Sequence, residues 1–464
     1  MFTALTFTTP FQSFVGRTTI VLLEILLAVS AFAQDSPSRV SGQILTPAAT
    51  AETDSTRVPL VLTLQDALAR AKANDPQFRS ALTDLGVAHQ DTVQSRAQLL
   101  PNVNYNMQYI YTQGNGTATG RFLANNGVHE YIAQGNVHQA LSPGMFAEYR
   151  KAAAAEALMR AKSEIATRGL VVTVVQAYYG YVVAQRKYAT AQKAAAEADH
   201  FLGISQKLQN GGEVARSDVI KAQIQNNQQR RDLQDALLAM NKTRLELAVL
   251  LFPNFDENFS VVDDLSLPDP LPSFVEVQAA ATKNNPTLRA ALATLRQSNQ
   301  EVSVAWTAML PSITLDYFYG IDANQFAVRD RNGFRNLGYG ATATLQLPIW
   351  SWGAGASKIK QADLKRQQAN VELSFAERRL LADLRSFYEE TGTLRAQLEL
   401  LSQTAELAAD SLRLTTLRYQ AGEATVLEVV DAQNTLTQAR NAYDDGQVRF
   451  RVALANLQTL TGSF

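Results

Sequence analysis

Asp75-Pro76-Gln77-Phe78-Arg79-Ser80-Ala81-Leu82, running on to Leu99-Leu100-Pro101, is written a second time as Asn285-Pro286-Thr287-Leu288-Arg289-Ala290-Ala291-Leu292, running on to Met309-Leu310-Pro311. The two stretches lie about 210 positions apart and align without a gap. The same interval relates Gly212-Glu213, Asp218-Val219 and Ala222-Gln223 to Gly422-Glu423, Glu428-Val429 and Ala432-Gln433. A repeat this long implies two equivalent halves, so that whatever one half builds the other builds again. The 464 residues therefore read as two interlocked repeats, 63–270 and 271–464, and not as two or three independent domains.

Each repeat reads as a helix, two strands and two long helices. After Pro101 the chain alternates, with Val103, Tyr105, Met107, Tyr109 and Tyr111 on one face and Asn102, Asn104, Asn106 and Gln108 on the other. Its twin after Pro311 sets Ile313, Leu315, Tyr317, Tyr319 and Ile321 against Ser312, Thr314, Asp316 and Gly320. Partner segments with the same alternation follow, which predicts four strands at about 101–111, 130–141, 311–321 and 337–348. The connections Thr112 to Gly127 and Asp322 to Asn336 are polar and read as solvent loops. Alternation alone favours a half-buried sheet of a soluble domain. Tyrosine-rich apolar faces opposite small or amide-bearing ones, over strands of about ten residues, suit a membrane barrel with a wet lumen. Trp350 and Trp352 fall where the last strand ends, as interfacial anchors do.

No proline interrupts the chain between Pro143 and Gln209 or from Gly353 to Gln420, so each segment is expected to run as one helix of about 65 residues, on the order of 95 Å. Apolar residues recur every seven along the second, at Leu380, Phe387, Leu394, Leu401 and Ala408, with Leu384, Leu398, Ala405 and Leu412 offset by four. The helix after it carries Val429, Leu436, Tyr443, Phe450 and Leu457, matched in the first repeat by Val219, Asn226, Leu233, Met240 and Leu247. These are coiled-coil seams. The chain reverses between such helices at tips near 208–217 and 418–425, where Gly212 and Gly422 supply the left-handed backbone that ends a helix.

Four strands cannot close on themselves. An open sheet edge in hydrocarbon costs several kcal/mol per unpaired backbone group, and the smallest closed barrels have about eight strands. If these strands enter a membrane the chain must oligomerise, and its helical rods then extend the lumen by roughly 100 Å.

The net charge of −1 and the lack of basic, aromatic-interleaved clusters argue against nucleic acid. Arg17, the apolar run Ile20 to Ala31 and Ala31-Phe32-Ala33 predict a secretory signal at 1–33, followed by a flexible Ser/Thr/Ala/Pro-rich leader at 34–62. With no cysteine, disulfides and amino-terminal lipidation are excluded. No phosphate loop, zinc helix or nucleophile elbow occurs, and the four histidines, His89, His129, His138 and His200, lack ligand spacing. No enzyme activity, cofactor or metal is expected.

Leu347-Pro348-Ile349-Trp350-Ser351-Trp352-Gly353, the opening Leu62-Thr63-Leu64-Gln65-Asp66-Ala67-Leu68, the Asp75-Pro76 and Asn285-Pro286 turns and the paired tip motifs together resemble the TolC family of outer-membrane efflux proteins. The resemblance covers nearly all the chain after the leader. It implies a mainly α-helical protein with a transmembrane β-barrel, closed as a homotrimer from twelve strands in the outer membrane and twelve helices in the periplasm. It also implies work with a periplasmic adaptor protein and an inner-membrane transporter. Carried over residue by residue, it makes Glu428 and Asp431 lining acids of the periplasmic entrance, where threefold repetition favours cations. Tyr419 and Asp218 match positions that help hold the entrance shut, and adaptors dock at tips such as those of Gly212 and Gly422. Ala424 departs from the pattern, which has a basic residue there; Arg216 and Arg418 are the nearby candidates to replace it.

Other readings of these residues stand beside those roles. Thr425-Val426-Leu427-Glu428 is also a capping box, Asp218 complements a helix N-terminus, and Tyr419 packs. The competing class is a soluble periplasmic coiled-coil interaction protein. Within the duct reading, small-molecule efflux and one-step protein secretion share the scaffold.

Overall fold

Each half starts at an Asx-proline break. Asp75 accepts from the Phe78 N–H at 2.6 Å and Asn285 from the Leu288 N–H at 2.9 Å, with Pro76 and Pro286 filling the first helical position, where a missing N–H costs nothing. The computed structural model describes residues 60–112, 129–254, 257–265 and 271–462. The expected signal peptide, the leader up to residue 59 and the loop 113–128 lie outside them.

The order is β1 (Leu60–Leu62), α1 (Leu64–Asn74), α2 (Pro76–Ala97), β2 (Asn102–Tyr111), β3 (His129–Leu141), α3 (Pro143–Asn210) and α4 (Arg216–Leu251) in the first half. It continues with β4 (Phe259–Val261), α5 (Phe274–Asn284), α6 (Pro286–Thr307), β5 (Ser312–Ala323), β6 (Leu337–Gln346), α7 (Ala354–Gln420) and α8 (Val426–Thr461). Two expectations are corrected. Each half opens with two helices rather than one, because the proline breaks the run. The described residues hold six strands rather than four, since Leu60–Leu62, assigned to the leader, pairs in parallel with Phe259–Val261. Three-residue apolar strands carry too little periodicity to stand out in a sequence.

The duplication reaches single hydrogen bonds. Asn74 donates to the Leu251 carbonyl at 2.6 Å, and Asn284 to that of Thr461 at 3.1 Å. The Tyr388 hydroxyl donates to Pro272 O at 3.0 Å; its twin Tyr178 lies 3.1 Å from Leu62 O and 2.8 Å from Val262 O, clasping both short strands. Burial pushes the Tyr178 pKa upward, so the hydroxyl stays a donor.

β2, β3, β5 and β6 form one antiparallel sheet in that order. Its register aligns Tyr105 with Gly135 and Tyr319, Tyr109 with Tyr131 and Ala323, and Tyr317 with Val137 and Ala341, so the tyrosines share one face. The other face carries Asn102, Asn104, Asn106, Gln134, Asn136, Asp316 and Thr342, with a His138 Nδ1 to Asp316 Oδ1 contact of 2.6 Å. Outer strands β2 and β6 each pair on one side only.

α3 and α7 run 68 and 67 residues, about 100 Å each. α3 packs against both α4 and α8, and α8 packs against α7. The heptad positions are the seams: Leu380, Leu384, Leu398, Leu412, Val429, Leu436, Phe450 and Leu457 are buried. Among the described residues no helix is long and apolar enough to cross a membrane.

Where α3, α4 and α8 meet the short strands, a polar knot closes the core around Val174, Tyr178, Leu247 and Leu251. Arg186 grips Asp263 with two bonds of 2.6 and 2.7 Å and also reaches Asp444 at 3.4 Å and Gln447 at 2.5 Å. Gln447 donates in turn to Leu265 O at 3.2 Å. Burial raises the Asp444 pKa and the Arg186 charge opposes that rise, so the carboxylate depends on its partner.

Gly320 of β5 lies opposite Gln134 of β3. A Cβ there would strike the Ala133 carbonyl oxygen and sit 2.6 Å from the Gln134 Cα, both rigid backbone, whereas one at Gly338 meets nothing within 4 Å. Gly320→Ala is therefore expected to lower the yield of folded, membrane-inserted protein, and Gly338→Ala to leave it unchanged, as read by heat-modifiable migration of membrane extracts.

Candidate channel entrance

The two hairpin tips have the same backbone and different chemistry. Gly212 and Gly422 hold φ of 80° and 77°, a left-handed conformation that favours glycine. The Glu213 N–H bonds Leu208 O at 2.9 Å and the Glu423 N–H bonds Arg418 O at 2.8 Å, closing both helix ends in the same way.

Beyond the turn the halves diverge. α8 starts with a reciprocal cap in which the Glu428 N–H donates to Thr425 Oγ1 at 3.3 Å and the Thr425 N–H donates to Glu428 Oε1 at 3.0 Å. The Thr425 N–H and hydroxyl, each donating to Glu428 Oε1 at 3.0 Å and aided by the Arg418 charge, hold the Glu428 pKa below the usual carboxylate range. Arg418 reaches across the turn, donating to Glu423 O at 3.1 Å and lying 3.8 Å from Glu428 Oε2. α4 starts at Ala215, which has no capping side chain, and Asp218, the counterpart of Glu428, pairs with Lys221 at 3.3 Å. Asp431 is exposed one turn beyond Glu428 and Arg216 is exposed at the first tip; neither makes an ion pair among the described residues.

Tyr419 is buried between the hairpins. Its ring lies 5.0 Å from that of Phe201, and its hydroxyl is 3.2 Å from Ser205 Oγ. Ser205 spends its own proton on Phe201 O, so Tyr419 is the donor. The structure thus brings Arg418, Glu423 and Glu428 together and packs Tyr419 with Phe201, Val219, Val426 and Val429. It does not join Tyr419 to Asp218, or Arg216 to either acid.

Above the tips a layer of amides interrupts the apolar seam. Gln225 donates to Asn434 Oδ1 at 2.9 Å, and Asn226, Gln229 and Gln433 are buried around it. Buried amides at seam positions set helix register at some cost in stability. At the far end of the rods the chain passes from β6 into α7 through two left-handed residues, Trp352 and Gly353. Trp350 and Trp352 are 75% and 90% exposed and meet edge to face at 5.8 Å.

A polar sheet face, a tyrosine face and paired rods ending in hairpins make the parts of a duct. The model of the outer membrane efflux protein family matches residues 67–251 and 278–463, one segment in each half. The chain belongs to the outer membrane efflux protein family. It is 24% identical over 402 residues to the outer membrane protein TolC of Vibrio cholerae, covering 85% of this chain and 89% of that one. It is also 24% identical over 415 residues to the alkaline protease secretion protein AprF of Pseudomonas aeruginosa, covering 86% and 84%. Its fold is that of the Campylobacter jejuni CmeC outer membrane channel, with a TM-score of 0.75 at 17% identity over 86% of this chain and 85% of that one. The Vibrio cholerae outer membrane protein VceC matches with a TM-score of 0.73 at 18% identity over 86% and 96%. The TolC-like architecture expected from the sequence is the one found. As a member of this family the chain is an outer-membrane exit duct of efflux or secretion, and the family is one of channels.

The Arg186 knot escaped the sequence reading. Its signals are the acidic pairs Asp263-Asp264 and Asp444-Asp445, the second within an otherwise apolar seam. Ser205, the partner of Tyr419, carries no sequence signal at all.

The cap at Thr425 has a pH signature. Because the folded Glu428 pKa is depressed, its contribution is complete above the ordinary carboxylate value and is lost as pH falls through the lower folded value. Thr425→Ala is expected to speed hydrogen exchange at Glu428 and Val429, the amides bonded to Thr425, about fivefold at neutral pH, the worth of one N-cap. In the unaltered protein the same amides should loosen only in acid below the usual carboxylate range.

Proposed function

We propose that three copies of this chain close edge to edge, β2 of one against β6 of the next, into a twelve-strand barrel continued by a tube of twelve long helices. The observation that supports it is the sheet itself, four strands with a shared tyrosine face and two unpaired edges. Each edge group left unpaired in hydrocarbon costs several kcal/mol, and twelve strands exceed the roughly eight that close a barrel. Trp350 and Trp352, exposed at the junction with the rods, anchor the periplasmic membrane interface.

At the other end the tips of Gly212 and Gly422 dock a periplasmic adaptor, which couples the duct to an energised inner-membrane transporter. Asp431, exposed and making no ion pair among the described residues, is the principal acid of the entrance ring. Glu428 adds its charge while its carboxylate caps α8. Tyr419 and Asp218 brace the entrance from separate contacts, and Arg418 supplies the positive charge missing at Ala424, with Arg216 in reserve at the other tip.

Protein extracted in detergent from the membrane fraction is expected to sediment as a trimer and to form cation-preferring channels in planar bilayers. Asp431→Asn should weaken that preference more than Glu428→Gln. A stable lipid-free monomer would overturn the assembly, and unchanged selectivity would remove the ring.

The cargo is small molecules. The Pseudomonas aeruginosa protein AprF, named for alkaline protease secretion, aligns over 86% of this chain and supports protein export as a second reading. Deleting the gene is expected to raise drug or metal susceptibility and leave the secreted proteins unchanged; the opposite pattern favours export.

A further inference from the structure

The link between β5 and β6 is a small hairpin organised by Asp330. Its carboxylate accepts the N–H groups of Asn332 and Phe334, each at 2.8 Å, so it is spent on the turn. Asp330 N–H to Phe334 O and Asn336 N–H to Val328 O, both 2.8 Å, zip the two arms. The antiparallel bridge between them sets Arg329 directly opposite Arg335, with Arg331 in the turn. Like charges facing each other across a ribbon repel. All three arginines are exposed, and none has an ion pair among the described residues. Residues 113–128, which join β2 to β3 in the sequence, include Arg121 and neither Asp nor Glu. Within the described residues no carboxylate answers the charge of Arg329, Arg331 and Arg335, which leaves three guanidinium groups open to an anion from outside the chain.

Position indicates where. Side chains alternate along a ribbon, which sets Val328 and Phe334, 52% and 71% exposed, on the face away from Arg329 and Arg335. Phe326, where the hairpin leaves the sheet, lies 6.3 Å from the ring of Tyr131, a member of the tyrosine face. The base of the hairpin therefore lies on the tyrosine side of the sheet. An amphipathic element of this kind buries its apolar face at the headgroup boundary and keeps its cations among the headgroups.

We propose that Arg329, Arg331 and Arg335 form a binding surface for the phosphate groups of anionic lipids in the outer leaflet, with Val328 and Phe334 entering the acyl boundary beneath. Guanidinium forks match phosphate oxygens two at a time, and binding relieves the repulsion between the facing arginines. The inference rests on the tyrosine face being lipid-facing, as in the barrel reading above.

Titrating detergent-solubilised full-length protein with bisphosphorylated lipid A, and counting bound lipid by native mass spectrometry, tests it. The unaltered protein is expected to bind about a hundredfold more tightly than R329Q/R331Q/R335Q, the worth of three arginines at an anionic surface. R329K/R331K/R335K should fall between, because it keeps charge and loses the fork. Dephosphorylated lipid A should bind both proteins alike and weakly, and inorganic phosphate at matched concentration should not compete. Equal binding by the unaltered and triple-Gln proteins, or full competition by inorganic phosphate, overturns the lipid site. Channel recordings on the same preparations separate the two readings: intact channels with equal lipid binding sink this inference alone, whereas absence of channels sinks the duct assembly and this inference with it.

Discussion

Backbone groups in hydrocarbon must be paired, and nearly everything else in this protein follows from the fact that one chain cannot pair them. Four strands leave β2 and β6 each with an unpaired side. A longer chain with more strands would solve the problem within one copy. This chain spends its length on rods instead, two helices of 68 and 67 residues that carry the wall of the duct far from the sheet. In the proposed closure by neighbouring copies, barrel and rods are tied together, because both belong to the same repeat.

Rods of that length need bracing part-way along, and the duplication supplies it twice. Tyr178 and Tyr388, with Asn74 and Asn284, hold equivalent carbonyls in the two halves. Among the described residues the first half alone adds the parallel pair β1 and β4 and the Arg186 knot, which fastens α3 to α8 through Asp263, Asp444 and Gln447. An ionised group taken out of water is tolerated when its partners are in place and is costly without them. The knot thus fixes the relative position of two helices more than it adds net stability.

The tips show how a duplicated element divides its work. Both turn on a glycine with the same φ, yet one helix starts from Thr425 and Glu428 in a reciprocal cap and the other from Ala215 without one. A carboxylate engaged in a cap stays ionised further into acid than a free one. Glu428 consequently serves the backbone of α8 first, and Asp431 one turn on makes no ion pair among the described residues.

Sequence by itself determined the repeat, the long strands and the rods, because these rest on local periodicity: two along Val103 to Tyr111, seven along Leu380 to Ala408, and proline or glycine where an element must stop. It also singled out the glycines of the tips and the Thr425 cap, since turn chemistry is local, whereas the acids of the entrance were named from the family resemblance. What it could not give was partnership across the fold. The three-residue strands at Leu60 and Phe259 have no pattern of their own and exist only because Tyr178 and each other's backbone hold them. Tyr419 meets Ser205 more than two hundred residues away, Arg186 meets Asp444 at a similar remove, and Arg329 faces Arg335 only once the loop closes. Such pairings are chosen by how packed helices and strands bring distant side chains within hydrogen-bond reach, and that choice belongs to the tertiary structure alone.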